Sequence, residues 1–179
     1  MFNFIEDIQK EIPTDDSASL GEQVILYGLV YDLKPKMIVE TGTHKGLSTL
    51  WMAHALYDAG VEAEIHTADP NNWGARGNFR KFPELEKYIT IHETRGDQME
   101  IEDEIDFIFL DGLHEKDEVL SEMEHLMPHM AKDCVVVFHD CKKDNKLVGV
   151  NAAVKELKLK NIALATHNYI RIASPIDPV

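Results

Sequence analysis

Met37-Ile38-Val39-Glu40-Thr41-Gly42-Thr43-His44-Lys45-Gly46-Leu47-Ser48-Thr49-Leu50 decides the fold. An apolar run ends in an acid, turns through two glycines and opens into a helical pattern. This reads as a strand–loop–helix unit built to hold a small polar ligand. The spacing Glu40-x-Gly42-x-x-x-Gly46 differs from the Gly-x-Gly-x-x-Gly of a dinucleotide fingerprint, because an acid stands at the place of the first glycine. A pyrophosphate at that turn would meet a carboxylate. A ligand carrying amino groups, hydroxyls or a positive centre would be accepted.

Outward from this unit the chain alternates helical and strand patterns, which predicts an α/β fold with a mostly parallel sheet. Strands are expected at 37–41, 64–68, 89–92, 105–110 and 134–138. A closing pair at 162–166 and 169–173 is separated only by His167 and Asn168, so it reads as an antiparallel hairpin. Helices are expected over 15–33, with Asp15, Asp16 and Ser17 at the N-terminus, over 46–58 closed by Gly60, near 115–127, and around Leu147–Leu157. A short one is expected at 82–87. Residues 71–81, with two glycines and two asparagines, read as a loop whose Trp73 and Phe79 either close over the crevice or sit on a surface excursion.

The 179 residues suit one domain, 1–179, with residues 1–35 as a helical extension packed on the core. A formal net charge of −14 supplies no basic surface for nucleic acid. No apolar run approaches the ~20 residues of a membrane span, and the N-terminus carries acids where a secretory signal carries Lys or Arg. A cytoplasmic protein is expected, with a homo-oligomer left open. Cys134 and Cys141 lie roughly 23 Å apart along an extended chain at ~3.3 Å per residue. They read as reduced thiols, Cys134 as core filling.

In an open α/β sheet, ligands bind beyond the carboxyl ends of the strands. Glu40, Asp69, Asp111 and His139-Asp140 stand at four such ends. Singly, each acid has a plain structural use: Asp69 before Pro70 starts a turn, Asp111-Gly112 makes one, and Asp140 caps a helix. Together they outline a crevice for a cationic, hydroxyl-bearing ligand, a description that S-adenosylmethionine fits.

Three segments then resemble one family. Val39–Thr49 resembles the first motif of class I S-adenosylmethionine-dependent methyltransferases. Asp106–His114 and Val135–Asp140 resemble later motifs of its small O-methyltransferase-like branch, related to cephalosporin hydroxylase and macrolide-sugar O-methyltransferases. The resemblance spans residues 20–173. It implies a Rossmann-like, doubly wound, seven-stranded sheet with a reversed last strand. It also implies a cofactor pocket of Glu40, Gly42, Thr43, His44, Gly46, Ser48, Asp69, Asp97 and Asp111. Gly42 and Gly46 would admit the methionine portion, since a side chain there would occupy the ligand's space. Asp69 would accept both ribose hydroxyls, and Asp97 would sit near the adenine amine.

Asp111, His139 and Asp140 could present two carboxylates and an imidazole to Mg²⁺ or Mn²⁺, with Zn²⁺ also open. His114, at an Asp-x-x-His position, could serve as the base that takes the acceptor's proton. The other readings have His139 hydrogen-bonded within the crevice, Asp111 on the cofactor itself, and His114 anchoring a helix start. Lys142, Lys143 and Lys146 would form a solvated turn or meet an anionic acceptor. Departures from the family pattern fall at Gly112-Leu113-His114 (often Gly-Asp-His), Lys132-Asp133 (often Gly-Gly) and His139 (Glu in some metal-dependent relatives). These leave acceptor and metal open. The expected activity is methyl transfer to a small-molecule acceptor at oxygen. The alternatives are a hydroxylase-like enzyme or a non-catalytic cofactor-binding module on the same fold.

Overall fold

Alternation along the central strands sorts side chains to two faces, and the core divides accordingly. Ile38, Phe107, Phe109 and Val137 point to one face, where they join one buried cluster. Val39, Ile108, Leu110, Val136 and Phe138 point to the other and join a second. Strands buried on both faces in this way belong in a parallel sheet covered by helices. The computed structural model describes residues 2–12, 18–71, 73–141 and 148–174.

The elements in chain order are α1 (Phe2–Glu11), α2 (Leu20–Leu33), β1 (Met37–Thr41), α3 (Leu47–Ala59), β2 (Glu64–Ala68), α4 (Ala75–Phe79), α5 (Pro83–Glu86) and β3 (Ile89–His92). They continue with β4 (Ile105–Leu110), α6 (Lys116–Leu126), β5 (Met130–Phe138), α7 (Val148–Leu157), β6 (Lys160–Leu164) and β7 (Ile170–Ser174). Two 3-10 turns complete the described elements, Gly96–Gln98 after β3 and Met127–His129 after α6. The seven strands stand in the order β3-β2-β1-β4-β5-β7-β6. β1 to β5 pair in parallel, and β7 runs antiparallel between β5 and β6. The sheet is therefore mostly parallel with one reversed strand. Buried residues of α1 to α5 pack on the first face and those of α6 and α7 on the second.

Four expectations shift. The second helix starts at Leu20, not residue 15: Ser19 caps it, its hydroxyl accepting from the Glu22 N–H while the Glu22 carboxylate accepts from the Ser19 N–H. This capping box satisfies two helix-end donors at once; Asp15, Asp16 and Ser17 lie outside the described residues. The stretch read as a loop contains α4, whose Phe79 is buried. β5 begins at Met130, four residues early, with a register shift against β4 between Ile105 and Phe107. The closing hairpin pairs Lys160–Leu164 with Ile170–Ser174, so residues 165–169 form its bend instead of two residues. Cys134 and Cys141 are free thiols and buried. Among the described residues no helix is long and apolar enough to cross a membrane.

Candidate functional site

The ladder of the parallel sheet runs one residue beyond each central strand. The N–H groups of Gly42, Asp69, Asp111 and His139 donate to the carbonyls of Ala68, His92, Thr41 and Leu110, at 2.9, 3.1, 3.0 and 3.0 Å. This levels the strand ends around one crevice of about 700 Å³. Of the residues predicted from sequence, Gly42, Thr43, His44, Ser48, Asp69, Asp111, His114, His139 and Asp140 line it. Backbone strain gathers here, since His44 and Asp140 hold positive φ of 46° and 52° without being glycine.

Glu40, Gly46 and Asp97 do not line the crevice. Glu40 shares a face with Ile38, and so it turns under the loop toward α3. It is wholly buried there and accepts hydroxyl hydrogen bonds from Ser48, Thr49 and Thr67 at 2.5, 2.5 and 2.6 Å. Ser48 and Thr67 are themselves tied to the loop, Ser48 as a crevice residue and Thr67 through Thr43 at 2.6 Å. Glu40 thus braces the loop after β1 from below. Burial pushes its carboxyl up to about 7, against the lowering by its three hydroxyl donors.

That shift has a testable sign. Between pH 4.5 and about 7 the native Glu40 holds a proton that the unfolded chain has lost. Its contribution to stability is therefore full below pH 4.5 and fades as pH rises through that window. Thermal melts across the window should show the wild type losing ground relative to Glu40→Gln, which has no proton to lose. Parallel pH profiles for the two proteins would refute the assignment.

Gly42 and Gly46 are required by protein contacts. A Cβ on Gly42 would stand 2.1 Å from the Asp111 carbonyl oxygen, and one on Gly46 would stand 2.2 Å from the Phe79 ring. Both have positive φ, 88° and 80°. The loop is therefore pressed against the turn after β4 on one side and against α4 on the other. Asp69 is held by main chain: one oxygen accepts from the His44 N–H and the other from the Asn71 N–H, each at 2.9 Å. Each oxygen keeps a lone pair for a further donor. Trp73 lines the crevice rim, half exposed and edge-on to His44 at 5.2 Å between ring centres.

At the far end His139 is the centre of a charged knot. Its Nδ1 lies 2.7 Å from Asp111 and 3.3 Å from Asp140, and its Nε2 lies 3.3 Å from Glu22. Burial pushes the imidazole pKa down, but the three carboxylates outweigh it and push it up to about 12. Neither ring nitrogen has an aligned hydrogen bond, despite these close oxygens. One ligand atom from each of Asp111, His139 and Asp140 lies within 4.8 Å of the others, the one such group found among the described residues. Two hard oxygens and an imidazole are a donor set that fits a divalent ion, which would displace the proton the carboxylates otherwise hold on the ring. His114 Nε2 stands 3.0 Å from Asp140. Lys142, Lys143 and Lys146 lie outside the described residues.

Sequence reasoning missed Glu22. It is 1% exposed and accepts from Thr166 and the Asn168 N–H, at 2.7 Å each, while facing His139. One carboxylate thereby ties α2, the hairpin bend and β5 together. The Ser19-x-x-Glu22 spacing announces a helix cap, but nothing in it announces a partner more than a hundred residues away. Glu122, on α6 and lining the crevice, was missed as well, because its partner Thr41 lies on a distant strand.

Residues 39–141 match the family described as "Methyltransferase domain". Among curated sequences, the uncharacterized protein y4gI of Sinorhizobium fredii is 27% identical over 125 residues, 63% of this chain. The match spans only 14% of that protein's length. Solved structures share the fold, among them three that hold ligand. The Podospora anserina methyltransferase PaMTH1, bound to S-adenosylhomocysteine, aligns with a TM-score of 0.77 and 17% identity over 98% of this chain and 87% of its own. An O-methyltransferase from Bacillus cereus with the same ligand gives 0.72 and 18%, over 96% and 88%. The O-methyltransferase TomG of Streptomyces achromogenes, involved in tomaymycin synthesis and bound to S-adenosylmethionine, gives 0.72 and 17%, over 93% and 84%.

Proposed function

Because the chain belongs to the methyltransferase-domain family, we propose that its crevice binds S-adenosylmethionine and passes the methyl group to an oxygen of a small-molecule acceptor. The observation that carries this reading is Asp69. It is a carboxylate at the end of β2, clamped by two main-chain amides yet with acceptor capacity left on both oxygens, as two neighbouring ribose hydroxyls require. Solved proteins of this fold hold the same cofactor or its product.

In the transfer, the acceptor oxygen forms a bond to the methyl carbon as the sulfur–methyl bond breaks. The sulfonium becomes a neutral thioether, and the acceptor's proton must leave. His114, with Nε2–H turned to Asp140, receives that proton on Nδ1. The walls align donor and acceptor and exclude water, which supplies most of the rate in a reaction needing no covalent intermediate. Asp111, His139 and Asp140 would hold Mg²⁺ or Mn²⁺, whose chemistry is to lower the pKa of a bound hydroxyl.

Calorimetry with S-adenosylhomocysteine tests the cofactor reading, and a panel of hydroxylated acceptors tests turnover. His114→Ala should lower turnover by about 10²–10⁴-fold while the affinity for S-adenosylhomocysteine holds. Equal turnover in the variant would remove the base assignment. Titration with Mn²⁺ in the absence of acceptor should give saturable heat that Asp140→Asn abolishes. Heat that survives in the variant would place the ion elsewhere.

A further inference from the structure

The carboxylate expected near the adenine amine, Asp97, is already spent. Arg95 grips it as a fork, Nε to Oδ1 and Nη2 to Oδ2, each at 2.9 Å, and Ser121 donates to Oδ2 at 2.8 Å. Arg95 holds its carboxyl below the usual aspartate range. Asp97 is also absent from the crevice lining. Glu118 pairs with the same guanidinium from the start of α6.

Glu122, one helical turn further along α6, is placed differently. It is 7% exposed, so it is more than nine-tenths buried, and it lines the crevice. Among the described residues its hydrogen-bond donor is Thr41, whose hydroxyl meets Oε2 at 3.0 Å. Oε1 packs close against two glycines that line the crevice with it. It lies 2.7 Å from where a Cβ on Gly96 would stand and 2.9 Å from where one on Gly112 would stand. Those glycines belong to the turns after β3 and β4. Oε1 and the Thr41 side chain fill the space a Cβ at either position would need, so glycine there lets the carboxylate reach the crevice wall, where the edge of a flat heterocycle lying in the crevice would meet it.

We propose that Glu122, and not Asp97, is the carboxylate that reads the purine 6-amino group of the adenosyl ligand, an assignment that rests on the cofactor reading above. The amine donates to the Glu122 side chain, and Thr41 fixes the orientation of the carboxyl from the opposite side. The charge environment suits the role. Burial raises the Glu122 pKa to about 7, with Asp97 and Glu118 adding to the rise and Arg95 opposing it. Near neutrality the group can thus donate as well as accept. The edge of adenine offers an amine donor beside a ring-nitrogen acceptor and matches both capacities. Asp97 becomes a positioning residue: its fork fixes Arg95, which lines the same crevice beside Glu118.

The test is a cycle between protein and ligand. Dissociation constants are measured by calorimetry for S-adenosylhomocysteine and for its analogue whose purine lacks the 6-amino group. The proteins are wild type, Glu122→Gln, Glu122→Ala and Asp97→Asn, with Glu122→Met as a second variant of near-native length should the alanine protein fail to fold. The wild type should prefer the amino ligand by about tenfold, the worth of one hydrogen bond to a polar buried partner. Glu122→Ala, or Glu122→Met, should bind both ligands alike. Glu122→Gln should keep the preference, because its amide oxygen still accepts from the amine, and Asp97→Asn should keep it too. A structural role for Glu122 would weaken both ligands equally and leave the ratio intact, which overturns the assignment. So would a ratio that collapses in Asp97→Asn instead. Failure of the wild type to bind S-adenosylhomocysteine would strike the cofactor reading itself, and this assignment with it.

Discussion

Asp69→Ala is expected to weaken S-adenosylhomocysteine binding by roughly a hundredfold, the loss of two hydrogen bonds from ribose hydroxyls to a charged acceptor. The carboxylate cannot be replaced by a neighbour. Asp111 is engaged with His139 at the other end of the crevice, and Glu40 is sealed under the loop by three hydroxyls. Part of the loss will come through the main chain, because Asp69 also anchors the N–H groups of His44 and Asn71. Asp69→Asn separates the two parts. Its amide oxygen retains one acceptor, so its affinity should fall between the wild type and the alanine variant. An alanine variant that binds as the wild type does would end the ribose assignment, and with it the main support for the cofactor.

Gly42→Ala should cost about 3–5 kcal/mol of stability, at the upper end for a single substitution. The added carbon has no space: the atom in its way is a backbone carbonyl, 2.1 Å off, that cannot rotate aside as a flexible side chain could. The conformation adds to the cost, since φ is +88°. For a chain of this size the thermal midpoint should drop by about 10 °C. Gly28→Ala, inside α2 with nothing within 4 Å of the new Cβ, is the control. It should raise the midpoint slightly, as helical Gly→Ala changes do. A Gly42→Ala protein that melts with the wild type would show that the β1 loop and the turn after β4 are not packed together as described.

Where one local rule decided an element, the sequence was readable. β1, β2, β3 and β4 carry β-branched or aromatic runs bounded by Pro, Gly or charged turns, and they fall at the bounds expected from those runs. Gly60 ends α3 in a left-handed conformation, as its place after Ala59 suggested. Readability failed where distant contacts decide. α4 forms across a glycine-rich stretch of low helix propensity because Phe79 is buried against Gly46, a tertiary contact that overrides local preference. The strand-end acids were legible as a group, but which of them faces the crevice was not. Glu40 and Thr41 are adjacent, and the pleat alone sends one toward α3 and the other toward α6. Asp97 does not line the crevice, because Arg95, two residues back, holds its carboxylate in a fork that only the folded chain reveals.

The position of β7 between β5 and β6 bears on how a nascent chain becomes competent. During synthesis β5 can find β4 as soon as both have emerged, but its other edge stays open until residues 170–174 have been made. β6, although synthesised earlier, has no place on the sheet without them. Such an exposed edge invites pairing with other chains. The insertion of one five-residue segment thus closes that hazard and draws the Thr166–Asn168 bend onto Glu22 in the same motion. A ribosome-bound chain lacking only that segment would hold every acid discussed above and still have an unfinished pocket wall.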